Sequence, residues 1–276
     1  MTSCSLLNIA SCLPQVIYDF ILNILNAPID PLLSLTKNIL TEPINLSLFS
    51  SLWAIVIYII SLFYSLLFLY SGFNFMISGN DPAKRTKAKE NLRNILIMIV
   101  LIQMSYFLYS LVIDMNSVLT SGVVNMIDQN FFRITADNIV NIGLEFFFTI
   151  FYVITLFFTA LILVLRYIVI AIGVIFVPFG IFFYFIEPLQ DYGKLILNFL
   201  GISIFVTFFD SIILLACSKI VELSFFENFK ILVMINAFSA INFLMFYLMF
   251  FVAIKSAFKK GDSLVSTAIK IGKYFA

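Results

Sequence analysis

The sequence predicts an all-α, polytopic integral membrane protein. It would have about five transmembrane helices (alternatively six), an outer N-terminus and a cytoplasmic C-terminus. Three observations carry this expectation. Apolar residues fill 62% of the 276 positions and charged ones only 11%, against about 25% charged in a soluble domain. The apolar residues fall into runs of membrane length, roughly 20 residues each. The few charges are sorted by sign along the chain. So much apolar surface has no soluble solution, and the composition is the opposite of a disordered one. Histidine is absent and the cysteines are Cys4, Cys12 and Cys217. A histidine base, a histidine-ligated metal and a Cys-x-x-Cys pair are therefore excluded. No catalytic residue, no metal site and no cofactor is expected.

Residues 1–46 read as amphipathic helices on the outer face. Pro14 can start a helix with Gln15, Asp19, Asn23 and Asn26 along one stripe and Ile17, Phe20 or Ile21, and Ile24 along the other. Asp30-Pro31 reads as a second cap and first-turn pair. A disulfide between Cys4 and Cys12 is open, as is their burial as free thiols. No cleaved signal peptide is expected, because Met1–Phe20 lacks a basic start and an A-x-A site.

Residues 47–113 read as a basic helical hairpin of two spans, Leu48–Ile77 and Ile95–Val112. An outer connection, 114–138, follows. Residues 139–254 form the transmembrane core. Within it Ile139–Ile186 is 48 residues long, roughly 72 Å as one helix. Leu163–Val169 contains no turn residue, which argues against two passes meeting near Arg166. Gly173, Pro178 and Gly180 are the breakers, so one long span is expected to break there. Leu195–Cys217 and Ile231–Ile254 complete the five. Residues 255–276 read as a basic amphipathic tail, with Leu264, Ala268, Ile271 and Phe275 on one face.

Charge sets the sidedness. Residues 1–46 carry net −2 (Lys37 against Asp19, Asp30 and Glu42), and 114–138 carry net −2 (Arg133 against Asp114, Asp128 and Asp137). Residues 78–93 carry net +3, and the tail from Lys255 carries net +4. Basic segments stay in the cytoplasm, which agrees with an odd number of passes.

The turn between the first two spans is the most informative segment. Gly79 suits a left-handed helix stop, and Asp81 and Pro82 suit an N-cap and first helical residue. Lys84, Arg85, Lys87, Lys89 and Arg93 then crowd the first turns of the next helix. Arg85, Lys89 and Arg93 share one face at i, i+4, i+8. Cations sit unfavourably at a helix N-terminus, so a partner outside the helix is expected. Topology and lipid phosphate are one such cause. Nucleic acid or an acidic partner is the other.

Gly72-x3-Met76-Ile77-Ser78-Gly79-x-Asp81-Pro82-x-Lys84, followed by Lys87-Ala88-Lys89, resembles the hairpin of TrbC-type type IV secretion pilins, over roughly residues 65–110. Leu163-Val164-Leu165-Arg166, Gly173-Val-Ile-Phe-Val-Pro178-Phe and Glu187-Pro188-Leu189 resemble the TrbL family of conjugative channel subunits, over roughly 145–217. The chain departs from that family in lacking a Trp after the Pro motif and in carrying Lys194 and Asn198. The combination is most similar to the CedA family, the polytopic component of the crenarchaeal DNA-exchange (Ced) machinery. These resemblances imply DNA import through the cytoplasmic membrane. They imply as partners a HerA- or conjugation-type ATPase, a small two-span pilin-like subunit, DNA and membrane lipid, in a homo- or hetero-oligomer. No G-x-x-x-x-G-K-[ST] phosphate loop is present, so the energy is expected from the partner.

Arg166 and Asp210 lie inside apolar runs. A charge at the bilayer centre costs at least about 2.5–3.5 kcal/mol, so both should face protein or water. They stand 23 and 21 residues from a turn near Leu189, which predicts a pair at similar depth. That pair would either fix helix register or line a conduit. Glu145 is expected near the outer end of its helix, and Glu187 at the broken segment. Gln103, Asn198, Asn236 and Asn242 are expected to hydrogen-bond between helices. The functional expectation is a non-enzymatic channel or scaffold subunit of a DNA-translocating complex. A small-solute permease subunit and a tetraspan-like scaffold are the alternatives.

Overall fold

The computed structural model of the chain describes residues 20, 23–24, 26–79, 81–134, 142–227 and 229–251. Cys4, Cys12, the start at Pro14 and the tail 255–276 lie outside them, as does the side chain of Glu145. About 90% of the described residues are helical and none lies in a strand. The helices are α1 (Ile29–Thr41), α2 (Ser50–Ile77), α3 (Pro82–Gln103), α4 (Ser105–Val124), α5 (Ile142–Phe185), α6 (Gln190–Val221) and α7 (Lys230–Phe246). Five stretches are long and apolar enough to cross a membrane: Leu46–Ile77, Ser105–Val124, Phe147–Phe185, Glu187–Val221 and Lys230–Phe250. The chain is an all-α, multi-pass membrane protein.

Two expectations about α5 resolve differently. The six-pass alternative needed a loop near Arg166, and the chain is helical throughout Leu163–Val169. The expected break at Gly173, Pro178 and Gly180 does not occur, because α5 runs 44 residues with Pro178 inside it. Proline removes one backbone donor. In a membrane helix, packing by neighbours tolerates that loss. The two glycines serve close approach instead, as described below. The turn near Leu189 is where the sequence puts it, a 3-10 turn at Glu187–Leu189.

Two smaller corrections concern caps. α1 starts at Ile29 behind Pro28, with no side-chain cap bond, so Asp30 occupies the first turn and not the cap. The chain is already turning there, with the Ala27 N–H bonded to the Asn23 carbonyl at 2.9 Å. Gly79 does not adopt a left-handed conformation, since no described glycine has positive φ. The Asp81 N–H closes the turn onto the Ser78 carbonyl at 3.2 Å instead.

The expected second span, Ile95–Val112, straddles the α3–α4 junction at Met104. The helical ladder survives there: Met104 N–H bonds Val100 at 3.0 Å, and Leu108 N–H bonds Met104 at 2.9 Å. Asp114 is exposed in the middle of α4. A crossing at 95–112 keeps that carboxylate out of the hydrocarbon, where a crossing by all of α4 would not.

The chain divides into two compact units. Unit 1 comprises 1–42, 117–165 and 207–245; unit 2 comprises 43–116, 166–206 and 246–276. Unit 1 collects the connections 125–134 and 222–229, and unit 2 collects the turns 78–81 and 187–189.

In unit 1 the fully buried Tyr152 anchors the packing. Its ring lies 5.8 Å from Phe238, and its hydroxyl donates to the Phe132 carbonyl at 3.2 Å. Asn26 bridges to residue 134 twice, donating to the Ile134 carbonyl at 3.1 Å and accepting its N–H at 3.2 Å. Asn242 donates to the Thr155 carbonyl at 3.2 Å, the interhelical role expected of it. Gln103, Asn198 and Asn236 are exposed instead.

In unit 2 two helical hairpins pack together. Tyr109, Ile113, Ile170, Val174, Leu200 and Ile204 form one buried cluster. Val56, Ile60, Met98, Ile102 and Phe182 form the other. The Trp53 indole donates to the Ser105 hydroxyl at 3.0 Å. Burial ranks the helices. Only 11% of α2's most apolar stretch is buried, against 44% for those of α5 and α6, so α2 is peripheral.

Candidate functional sites: a cationic arm and a buried arginine

The first site is built by the α2–α3 turn. α2 stops where Ser78 bonds twice to it: its N–H to the Asn74 carbonyl at 3.1 Å, its hydroxyl to the Phe75 carbonyl at 2.8 Å. α3 starts as the sequence predicts. The Asp81 carboxylate accepts from the N–H groups of Ala83 at 3.0 Å and Lys84 at 3.4 Å, with Pro82 first in the helix. Two of the orphan donors of the first turn are thereby satisfied.

One stripe of α3 faces inward. Ala88, Met98 and Ile102 are buried, and Asn91 and Ile95 are half-buried. That is a near-heptad spacing, suited to a helix packed along a single neighbour. The five cations lie off this stripe and are all exposed. They are not equivalent. The Lys84 ammonium stands 3.8 Å from the Asp81 carboxylate, an exposed pair of little energetic weight. The Arg85 guanidinium lies over the Phe75 ring, 5.7 Å from its centre, a cation–π contact. Lys87, Lys89 and Arg93 make no ion pair among the described residues. Phe75 was not legible as part of this site, because it comes from the other helix of the hairpin.

The second site is Arg166, which is 4% exposed. Its Nε donates to the Ser203 carbonyl at 2.7 Å, and its Nη2 donates to the Ile204 carbonyl at 2.9 Å. Two successive carbonyls of α6 thus hold a guanidinium from α5. Charge-assisted bonds of this kind are stronger than neutral ones. The sequence pairs Arg166 with Asp210. Asp210 belongs to unit 1, where its side chain is fully buried.

Toward the turn of this hairpin, the approach of α5 to α6 is set by glycine. A Cβ on Gly193 would strike the Tyr184 backbone nitrogen and lie 2.6 Å from the Gly180 carbonyl oxygen. One on Gly180 would lie 3.0 Å from Leu197. One on Gly173 would strike the Tyr109 hydroxyl, which donates to the Ile170 carbonyl at 2.8 Å. Small residues at such points let membrane helices pack backbone to backbone. Gly193 and Tyr109 were missed in the sequence, since neither belongs to a motif. Glu187 opens the 3-10 turn of this hairpin.

Among the described residues no three His, Cys, Asp or Glu side chains are grouped to hold a metal ion. No protein-family model matches the chain, and no curated protein or solved structure matches it either.

Proposed function

We propose that the chain is a channel or scaffold subunit of a DNA-translocating complex in the cytoplasmic membrane. Its N-terminus is outside, its C-terminus is inside, and a partner ATPase of the HerA or conjugation type supplies the energy. The chain itself catalyses no chemical step. The observation that carries this reading is the cationic arm. Lys87, Lys89 and Arg93, which make no ion pair among the described residues, are displayed exposed on the part of α3 that follows the turn. The resemblance of this hairpin and of the α5–α6 region to conjugation-type components supports the same reading. So does a buried intramembrane arginine, a feature that marks functional pathways in membrane proteins.

The test replaces Lys84, Arg85, Lys89 and Arg93 together by Gln. Loss of DNA transfer with unchanged membrane topology is the expected result, and undiminished transfer overturns the reading. A binding assay on proteoliposomes separates the contributions. Neutralising Lys87, Lys89 and Arg93 should flatten the log–log salt dependence of duplex DNA retention by about 0.9 for each phosphate no longer neutralised.

A further inference from the structure

Unit 1 contains a cavity of about 280 Å³ that the DNA-translocation reading does not use. It lies where α1 packs against the segment 124–133, Leu214 and Phe238. Its wall is apolar, built by Leu33, Leu40, Ile127 and Leu214 among others. Its polar members are Asp30, Ser34, Thr36, Lys37 and Arg133.

Two features mark it as a built site. The first is Thr36. α1 buries Ile29, Thr36 and Leu40 on one face, so Thr36 is a hydroxyl inside an apolar stripe. It is 3% exposed, and its oxygen has no hydrogen-bond partner among the described residues. A buried hydroxyl without a partner is costly. A helical threonine can normally bond the carbonyl four residues back, and no such bond is made here. The second feature is the arrangement of charge. The Arg133 Nε donates to Asp30 at 3.2 Å, in an exposed ion pair. The remaining N–H groups of Arg133 have no partner among the described residues. Lys37 also makes no ion pair among them. An exposed guanidinium with N–H groups to spare and an exposed ammonium line the same cavity, and both are donors that a phosphate group accepts from.

We propose that this cavity is a binding site for one anionic phospholipid. Arg133 and Lys37 hold its phosphate, Thr36 bonds an oxygen of its linkage region, and part of one hydrocarbon chain fills the apolar wall. Position supports a lipid. α1 is amphipathic and is not among the candidate spans, while Leu214 and Phe238 belong to helices that are. Such a junction is where membrane headgroups are found. The charge balance, two cations against one carboxylate, selects an anionic headgroup over a zwitterionic one.

The experiment is native mass spectrometry of the full chain released from detergent. It is mixed in separate arms with phosphatidylglycerol, phosphatidylcholine or inorganic phosphate. The wild type should retain one phosphatidylglycerol about tenfold more tightly than phosphatidylcholine, a difference of about 1.4 kcal/mol. Lys37→Gln with Arg133→Gln should remove that preference. Leu40→Trp, which fills the cavity, should remove retention, and Thr36→Val, which keeps the side chain's shape, should weaken it. Equal retention of the two lipids by the wild type overturns the proposal. So does undiminished retention by both Leu40→Trp and Thr36→Val, or displacement of the lipid by phosphate alone. If Leu40→Trp fails to fold, Thr36→Val decides.

Discussion

Unit 2 contains two helical hairpins closed by short turns, and they are held by opposite means. The α2–α3 hairpin is closed by polar chemistry at its tip. Asp81 caps α3, Ser78 bonds back into α2, and the arm beyond the shared core buries little besides Ser71, Ser78 and Ala88. The α5–α6 hairpin is held along its length by contact at the van der Waals limit. Glycines bring the backbones together, and one guanidinium grips two carbonyls. A Cβ added to Gly72 in the first hairpin would meet nothing within 4 Å. Glycine therefore means different things at different positions. Gly72 is spare, and so is Gly201 in α6, whereas Gly180 and Gly193 set the distance between helices near the α5–α6 turn.

Substitutions at four positions sharpen this contrast, and the largest effect belongs to Gly193. In Gly193→Val the added carbons meet backbone, which cannot turn aside. The expected cost is about 3 kcal/mol, at the upper end for overpacking. It would be seen as loss of folded protein in a denaturant titration in detergent. Wild-type unfolding would break the contrast.

Arg166→Met comes next. Hydrogen bonds to charged groups contribute about 1.5–3 kcal/mol, and relief of the buried charge offsets part of that. A net loss of about 2 kcal/mol is expected from the same titration. Arg166→Lys should fall between, because an ammonium cannot reproduce the fork that spans two carbonyls.

Asp81→Ala should cost about 1 kcal/mol, the usual value of an N-cap. The loss should be confined to the arm. Faster hydrogen exchange at the Ala83 and Lys84 amides, with α6 unchanged, is the readout. Acceleration spread through α6 would show that the two hairpins are not separate in stability.

Gly72→Ala should have the smallest effect, and of opposite sign. Its site is open, so the substitution should stabilise the hairpin by about 0.4–1 kcal/mol through the unfolded chain. A destabilised Gly72→Ala would mean that the arm is packed against something in the membrane.

What was legible in the sequence follows the same division. The Asp81-Pro82 start and the turn at Glu187–Leu189 were readable because their chemistry is local: a cap acts over three residues. The number of spans was readable from apolar length. The behaviour of Gly173, Pro178 and Gly180 was not. In a soluble helix those residues are punctuation, whereas inside a membrane helix they are compatible with continuity and are chosen for what packs against them. Their neighbours Tyr109, Ile196 and Leu200 come from distant parts of the chain. The Arg85–Phe75 contact was hidden for the same reason, since ten residues and a turn separate the partners. For Arg166, burial was readable from its apolar setting, but its two carbonyl partners were not, because backbone acceptors leave no trace in a sequence.

Those two carbonyls have a mechanical consequence. Ser203 and Ile204 are successive residues, so their oxygens sit about 100° apart around the axis of α6. A fork that satisfies both defines the rotation of α6 about its own axis as well as its height along α5. Sliding or rolling α6 would drag a charged group across apolar side chains. The geometry thus selects among modes of motion. Within unit 2, α5 and α6 can tilt together as a lever, but they cannot act as piston and sleeve.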